Sequence, residues 1–183
     1  MAKRARAVKT KRGTNASAAP TFTPSKSPFF RETIERLGRR ALFVDTGAIV
    51  GCMEAGDEAF PAFFDELIGE KLITSTYVLA ECVRRIVKAQ HPDQFVGPSG
   101  ERSVQLALHI LKDWLTERNV YVLNVPDDVF EDAKRSLEKH QGLKCDLTDI
   151  LSYEIIQGLQ ETRIVSKDSH FKSLGLDVLP AGP

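Results

Sequence analysis

The chain has 183 residues, enough for one domain with a complete hydrophobic core, and its 42% hydrophobic and 27% charged content is ordinary for a globular protein. The net charge of zero hides a split, because residues 1–40 hold eleven Lys and Arg against two Asp and Glu, and the rest of the chain is acidic. Three widely spaced cysteines argue against a zinc finger or a disulfide framework, and the lack of a long apolar stretch excludes a membrane-spanning helix.

The N-terminal segment differs from the rest in composition. Residues 1–28 mix Lys, Arg, Ala, Thr, Ser and Pro with almost nothing to bury, which predicts a basic disordered tail. The tail is either an arm that binds RNA phosphates or a solvated extension, and a transit peptide is a third alternative that the missing helical face disfavours. Residues 29–40 are predicted as a short helix or linker, and residues 41–183 as the folded domain.

Strands and helices alternate along the folded domain. Strands are predicted over residues 41–45, 72–74, 120–125, 164–166 and 178–179. Helices are predicted over residues 58–69, 75–90, 100–117, 126–140 and 146–157. This alternation predicts an α/β fold, a three-layer α/β/α sandwich with a mostly parallel sheet. Ligands of such sheets bind outside the carboxyl ends of the strands, where Asp45 and Asp168 are predicted to lie.

Several common motifs are absent from the chain. It contains no GxGxxG dinucleotide fingerprint, no GxxxxGK[ST] phosphate loop and no GxSxG nucleophile motif. Dinucleotide-binding enzymes, P-loop NTPases and serine hydrolases of the GxSxG type are therefore disfavoured.

Four acidic residues stand out by their positions. Asp45 and Asp168 follow predicted strands, whereas Glu81 and Asp149 lie among apolar residues of predicted helices. Each has an ordinary structural explanation, such as a helix cap or an ion pair with Arg84 or Arg85. Together they suggest a divalent cation, because buried carboxylates need partners and Mg²⁺ prefers oxygen ligands. One or two ions held in this way can activate water for phosphodiester hydrolysis.

The residues around these acids resemble a known family. Four segments in order are similar to the four sequence blocks of PIN-domain nucleases, and most closely to the VapC-like ribonuclease toxins. The segments are Phe43-Val44-Asp45-Thr46-Gly47-Ala48, Tyr77-Val78-Leu79-Ala80-Glu81, Leu147-Thr148-Asp149-Ile150-Leu151-Ser152 and Ser166-Lys167-Asp168-Ser169-His170-Phe171. The resemblance covers about residues 41–180 and implies a PIN-like fold. It also implies an endoribonuclease that depends on Mg²⁺ or Mn²⁺.

The resemblance assigns roles to individual residues. It implies that Asp45, Glu81, Asp149 and Asp168 are the catalytic, metal-binding carboxylates. Thr46 and Ser166 match hydroxyl residues that support them. Asp146 departs from the small polar residue that is commoner there, and it is either a fifth acid near the metal or a helix cap.

Four basic residues are candidates for RNA contact. Arg84, Arg85 and Lys88 follow Glu81 along one predicted helix, although such a charge run is also typical of a solvated helix face. His170 lies close to Asp168 in sequence and can contact phosphate, transfer a proton, or simply pack or cap a turn.

The resemblance also implies partners. We expect a cytoplasmic toxin of a type II toxin–antitoxin pair that cleaves tRNA or another structured RNA, binds an antitoxin protein and forms a homodimer. Two alternatives stay open at this point. One is a non-catalytic RNA- or protein-binding module on the same fold, and the other is an RNA-processing nuclease without an antitoxin.

Overall fold

The computed structural model describes residues 27–53, 59–90, 98–140 and 142–180, with the backbone alone at 89–90 and 98–103. The predicted disordered tail over residues 1–28 lies almost entirely outside these ranges and stays a prediction. The predicted domain boundaries likewise stay predictions.

Thirteen helices and strands are assigned within the described residues. The strands are β1 (Leu42–Val44), β2 (Leu72–Ser75), β3 (Val120–Leu123), β4 (Arg163–Val165) and β5 (Asp177–Leu179). The helices are α1 (Pro28–Leu37), α2 (Thr46–Gly51), α3 (Ala59–Glu66), α4 (Thr76–Gln90), α5 (Pro98–Glu117), α6 (Asp127–Lys139), α7 (Leu147–Gly158) and α8 (His170–Ser173). Each predicted strand is present with ends shifted by two residues at most, and α2 and α8 lie where no element was predicted.

The strands form one parallel sheet in the order β3-β2-β1-β4-β5, flanked by helices, which confirms the predicted fold class. From β1 the chain extends the sheet in one direction through β2 and β3, and it then returns to the other side of β1 for β4 and β5. The order of strands therefore reverses between β1 and β4. In open α/β sheets this reversal opens a crevice beyond the carboxyl ends of the two strands, where ligands bind.

Burial explains why the central strands are apolar apart from Arg163 at the start of β4. Leu42, Phe43 and Val44 of β1 have no measurable exposure, and Ile164 and Val165 of β4 are equally buried. A parallel strand covered on both faces by helices has no solvated side, so a continuous apolar run replaces the alternation of a half-exposed strand. The first residues beyond these strands are then the first that can meet solvent at the crevice.

Helix α1 packs on the folded domain and contacts α7. The ring of Phe30 occupies the space beside Gly158, where an added Cβ would lie only 2.3 Å from the ring. Gly158 therefore permits a close approach that any larger residue would prevent. No helix in the described part of the chain is long and apolar enough to cross a membrane.

Candidate active site

Asp45 lies at the start of the crevice between β1 and β4. Its backbone N–H donates to the Val165 carbonyl at 2.9 Å, which extends the pairing of β1 with β4, and its carboxylate caps the N-terminus of α2. Its Oδ2 atom accepts hydrogen bonds from the Gly47 N–H at 3.3 Å and the Ser166 hydroxyl at 2.8 Å. These two bonds both reach Oδ2, and Oδ1 accepts neither of them.

Burial dominates the electrostatics of Asp45, whose residue is 5% exposed. Desolvation raises the pKa of this carboxyl above its ordinary value and the Glu81 charge raises it further, while bonds from Ser166, Thr46 and Gly47 oppose the rise. The protein donors thus compensate only part of the cost of the buried charge. A cation beside Asp45 would supply the rest.

Ser166 connects the acids that follow the two central strands. Its hydroxyl donates to Asp45 Oδ2 and accepts a hydrogen bond from the backbone N–H of Asp168 at 2.9 Å. The side chain is buried and follows β4 directly. This single hydroxyl therefore fixes the position of the Asp45 carboxylate relative to the Asp168 backbone.

Glu81 reaches the same crevice from α4. Its Oε2 accepts a hydrogen bond from the Thr46 hydroxyl at 3.1 Å, and its Oε1 accepts one from Arg85 Nε at 2.9 Å. A second Arg85 nitrogen lies 2.7 Å from Oε1, whereas the nearest Arg84 nitrogen is 3.9 Å away. Both arginines follow Glu81 by one helical turn, but Arg85 makes the close ion pair.

Asp149 and Asp146 form a reciprocal capping box at the start of α7. The Asp146 side chain accepts from the Asp149 N–H at 3.0 Å, and the Asp149 side chain accepts from the Asp146 N–H at 2.8 Å. Asp146 is therefore the helix cap that the sequence allowed. The pKa of Asp149 is raised to about 6, mainly by burial and also by the Asp146 and Asp45 charges, while the Asp146 N–H and His170 oppose the rise.

His170 lies between two of the acids. Its Nδ1 is 2.6 Å from Asp168 Oδ1, and its Nε2 is 3.2 Å from Asp149 Oδ2. The Asp168 side chain is 49% exposed, but the imidazole and the Asp149 carboxylate are largely covered. The structure therefore places His170 as a link between Asp149 and Asp168 rather than on the open surface.

These groups line a cleft of about 240 Å³ at the carboxyl ends of β1 and β4. All four predicted acids contribute to its wall, together with Thr46, Arg85 and Lys167; the full lining is Asp45, Thr46, Gly47, Val50, Glu81, Arg85, Asp149, Lys167, Asp168 and Ser169. Ser166 and Asp146 stand behind it as partners of Asp45 and Asp149. Arg84 and Lys88 are exposed on α4 outside this wall.

Sequence reasoning did not single out Lys167 or Cys145. The Lys167 side chain runs over α2, where Cβ atoms added at Gly47 and Gly51 would come within 3.2 Å and 2.7 Å of it. Small residues in the Thr46-Gly47 block were a signal for such a close approach. Cys145 precedes the α7 cap and is brought to Asp149 and His170, which no spacing of cysteines indicated.

The match to a known family covers most of the folded domain. A family model of the PIN domain matches residues 42–176. The chain belongs to the PIN domain family. This membership confirms the resemblance found in the four sequence blocks. None of the curated proteins compared with the chain matches it.

Solved structures with a fold like this PIN domain include three bacterial proteins. VapC20 of Mycobacterium tuberculosis, described as a toxin that cleaves the sarcin–ricin loop, is 20% identical with a TM-score of 0.59 over 75% of this chain and 97% of its own. VapBC2 of Rickettsia felis, bound to a promoter DNA fragment, is 17% identical with a TM-score of 0.53 over 75% and 96%. FitAcB of Neisseria gonorrhoeae is 15% identical with a TM-score of 0.52 over 75% and 95%. At these identities the likeness is one of fold.

The donor set of the PIN cleft suits a hard divalent cation. Carboxylate oxygens come from four different elements or strand ends, and Mg²⁺ takes such oxygen ligands while keeping several waters. Burial raises the pKa of both Asp45 and Asp149, so a cation beside them would offset part of the cost of their ionisation. The residues present therefore fit a magnesium or manganese ion.

Proposed function

We propose that this protein is a metal-dependent endoribonuclease that hydrolyses phosphodiester bonds in RNA. The observation that carries the proposal is the convergence of Asp45, Glu81, Asp149 and Asp168 on one cleft at the strand-order reversal. These four residues would hold Mg²⁺ or Mn²⁺. A bound ion of this kind activates water and stabilises the leaving oxygen of a phosphodiester.

The protein's own part is to orient the carboxylates and admit the substrate. Ser166 and Thr46 hold Asp45 and Glu81 by hydrogen bonds, and His170 lies between Asp149 and Asp168. Arg85 and Lys167 add positive charge to a cleft that would otherwise repel a phosphate.

Substrate and partners follow from the family resemblance and from the similar folds. We infer that the RNA is a tRNA or another structured RNA, and that the protein is the toxin of a type II toxin–antitoxin pair with its own antitoxin. A homodimer in the reducing cytoplasm is the expected state, in keeping with the wide spacing of Cys52, Cys82 and Cys145 along the chain. The exposed apolar residues Leu106 and Leu108 on α5 are available for a subunit contact.

The first test is cleavage of a mixed RNA substrate by the purified full chain. Cutting is expected with Mg²⁺ or Mn²⁺, and EDTA is expected to stop it because the carboxylates alone provide no nucleophile. Internal fragments, rather than single nucleotides released from an end, would identify an endonuclease. An inactive protein that still binds RNA would instead support a non-catalytic module.

The toxin assignment has a separate test in cells. Expression in a bacterium is expected to arrest growth, and the small open reading frame next to the gene is expected to restore growth when co-expressed. An active ribonuclease whose expression leaves growth unaffected would favour an RNA-processing enzyme without an antitoxin.

A further inference from the structure

Three side chains near the α7 end of the cleft form a group of metal-ligating type. Cys145, Asp149 and His170 each offer one ligand atom, and these atoms lie within 4.8 Å of one another. They come from the segment before α7, the first turn of α7 and the start of α8. The group overlaps the carboxylate cleft at Asp149 but differs from it in chemistry, because it adds a thiol and an imidazole.

The orientation of His170 leaves one ring nitrogen without a hydrogen bond. Nδ1 lies 2.6 Å from Asp168 Oδ1, within hydrogen-bonding distance of the carboxylate. Nε2 is buried with no hydrogen-bond partner, although Asp149 Oδ2 is only 3.2 Å away. A ligand bound between Nε2 and Asp149 Oδ2 would give both atoms a partner.

This arrangement is the one that zinc-binding histidines use. A metal-ligating imidazole commonly donates its other N–H to a carboxylate, which fixes the ring and makes the free nitrogen a better donor. Asp168 is the carboxylate that lies against the other ring nitrogen of His170. Ligands on a tetrahedral zinc ion, with bonds of about 2.0–2.3 Å, stand roughly 3.3–3.7 Å apart. The present separations therefore require only small side-chain movements.

The charge around Cys145 favours a cation. The negative charges of Asp149, Asp168 and Asp146 all act on the Cys145 thiol. The same carboxylates attract a divalent ion to the position beside the sulfur. On binding, the thiol proton leaves to solvent and the sulfur binds as the thiolate.

We propose that Cys145, Asp149 and His170 form a binding site for a thiophilic divalent ion such as Zn²⁺, with Asp168 supporting His170 from outside. Mg²⁺ is the wrong ion for this set because it takes oxygen ligands, whereas zinc binds sulfur, nitrogen and oxygen together. Three protein ligands leave a fourth position for water. Zinc at this site uses Asp149 and therefore competes with magnesium in the carboxylate cleft, a consequence that rests on the proposed nuclease function.

Binding is tested without any activity measurement. The EDTA-treated full chain is titrated with Co²⁺, whose thiolate complexes absorb in the near ultraviolet. A thiolate-to-cobalt band that saturates at about one equivalent, and that Zn²⁺ abolishes, is expected for the wild type. Cys52→Ser is the matched control and keeps the band, whereas Cys145→Ser loses it while retaining its far-ultraviolet circular dichroism. A wild type without the band, or Cys145→Ser with it, would overturn the site.

The competition is tested with Mg²⁺-dependent RNA cleavage. Zn²⁺ is expected to inhibit the wild type, and Cys145→Ser is expected to keep its activity with Mg²⁺ while needing at least about tenfold more Zn²⁺ for half inhibition. Equal inhibition of both proteins would overturn the competition. If the wild type cuts no RNA, the proposed function fails, but the cobalt titration still decides whether the metal site exists.

Discussion

The two sides of the cleft hold their carboxylates by different means. On the β1 side, Asp45 and Glu81 accept hydrogen bonds from buried hydroxyls and from Arg85. On the α7 side, Asp149 is bound to a capping backbone N–H and, with Asp168, lies against His170. The first side consists of hard oxygen ligands with fixed donors, and the second adds nitrogen and sulfur. The two proposals together predict that one cleft distinguishes two kinds of cation.

The largest effect is expected on the β1 side from Asp45→Asn. An amide oxygen at the Oδ2 position keeps the hydrogen bonds from Gly47 and Ser166 while the charge is lost. Cleavage of RNA should fall by more than about 100-fold, beyond the usual cost of removing an outer partner of a metal ligand. The melting temperature without metal should rise, since a buried carboxylate with a raised pKa destabilises the folded state at neutral pH.

Calorimetry and RNA cleavage measure both outcomes. The added stability that Mg²⁺ gives to the wild type should disappear in the variant. Undiminished cleavage by Asp45→Asn would refute the metal site on this side of the cleft.

A smaller effect is expected from Ser166→Ala, which removes the hydroxyl between Asp45 and Asp168. The affinity for Mg²⁺ should fall by about 10–100-fold, because an outer partner orients the ligand. Thr74→Val is the matched control, since the Thr74 hydroxyl is also buried but donates to the Val44 carbonyl at 2.9 Å. The control should lose about 1 kcal/mol of stability and no metal affinity. Equal losses of affinity in the two variants would mean that Ser166 acts through stability alone.

The α7 side is expected to depend on pH. The pKa of Asp149 in the folded protein, about 6, lies above its ordinary value of 3.8, so the folded state binds a proton more readily than the unfolded chain does. Without metal, stability is therefore lost as pH rises from about 4 to about 6, and it is not regained above that range. Mg²⁺ binds the ionised form, so its effect on the melting temperature should grow as pH rises through about 6.

Asp146→Asn sharpens this pH test. Asparagine still caps α7, but the like charge beside Asp149 is removed, so the midpoint of the Mg²⁺ effect should move to lower pH. A midpoint that stays in place would show that Asp146 does not act on Asp149 through its charge.

The smallest effect is expected from the arginines of α4. Arg85→Gln releases Glu81 from its ion pair and should tighten Mg²⁺ binding by less than about tenfold, because the Arg85 side chain is about half exposed. Arg84 lies 3.9 Å from Glu81, so Arg84→Gln should change the affinity for Mg²⁺ by less than about twofold. Isothermal titration with Mg²⁺ compares the two variants. Weaker binding in Arg85→Gln would indicate that Arg85 orients Glu81 for the metal.

Local patterns were sufficient for the strands and for the four acids. The apolar run before Asp45 is covered by helices on both faces of the sheet. Asp45, the first polar residue after that run, therefore lies at the edge of the sheet. Glu81 and Asp149 were noticed because they interrupt apolar helix faces. Helix α8 was missed because its single turn depends on Phe171, which is buried only in the folded domain.

The sequence by itself determined that the chain alternates strands and helices, that acids follow the central strands, and that the blocks around them are those of a PIN domain. Only the tertiary structure decided which strands flank the crevice, because strand order depends on packing between distant segments. It also decided that Arg85 rather than Arg84 binds Glu81. The same holds for Cys145, which meets Asp149 and His170 through folding and not through spacing. Such contacts depend on where side chains point over distances of about 3–5 Å. The spacing of residues along the sequence does not specify those directions.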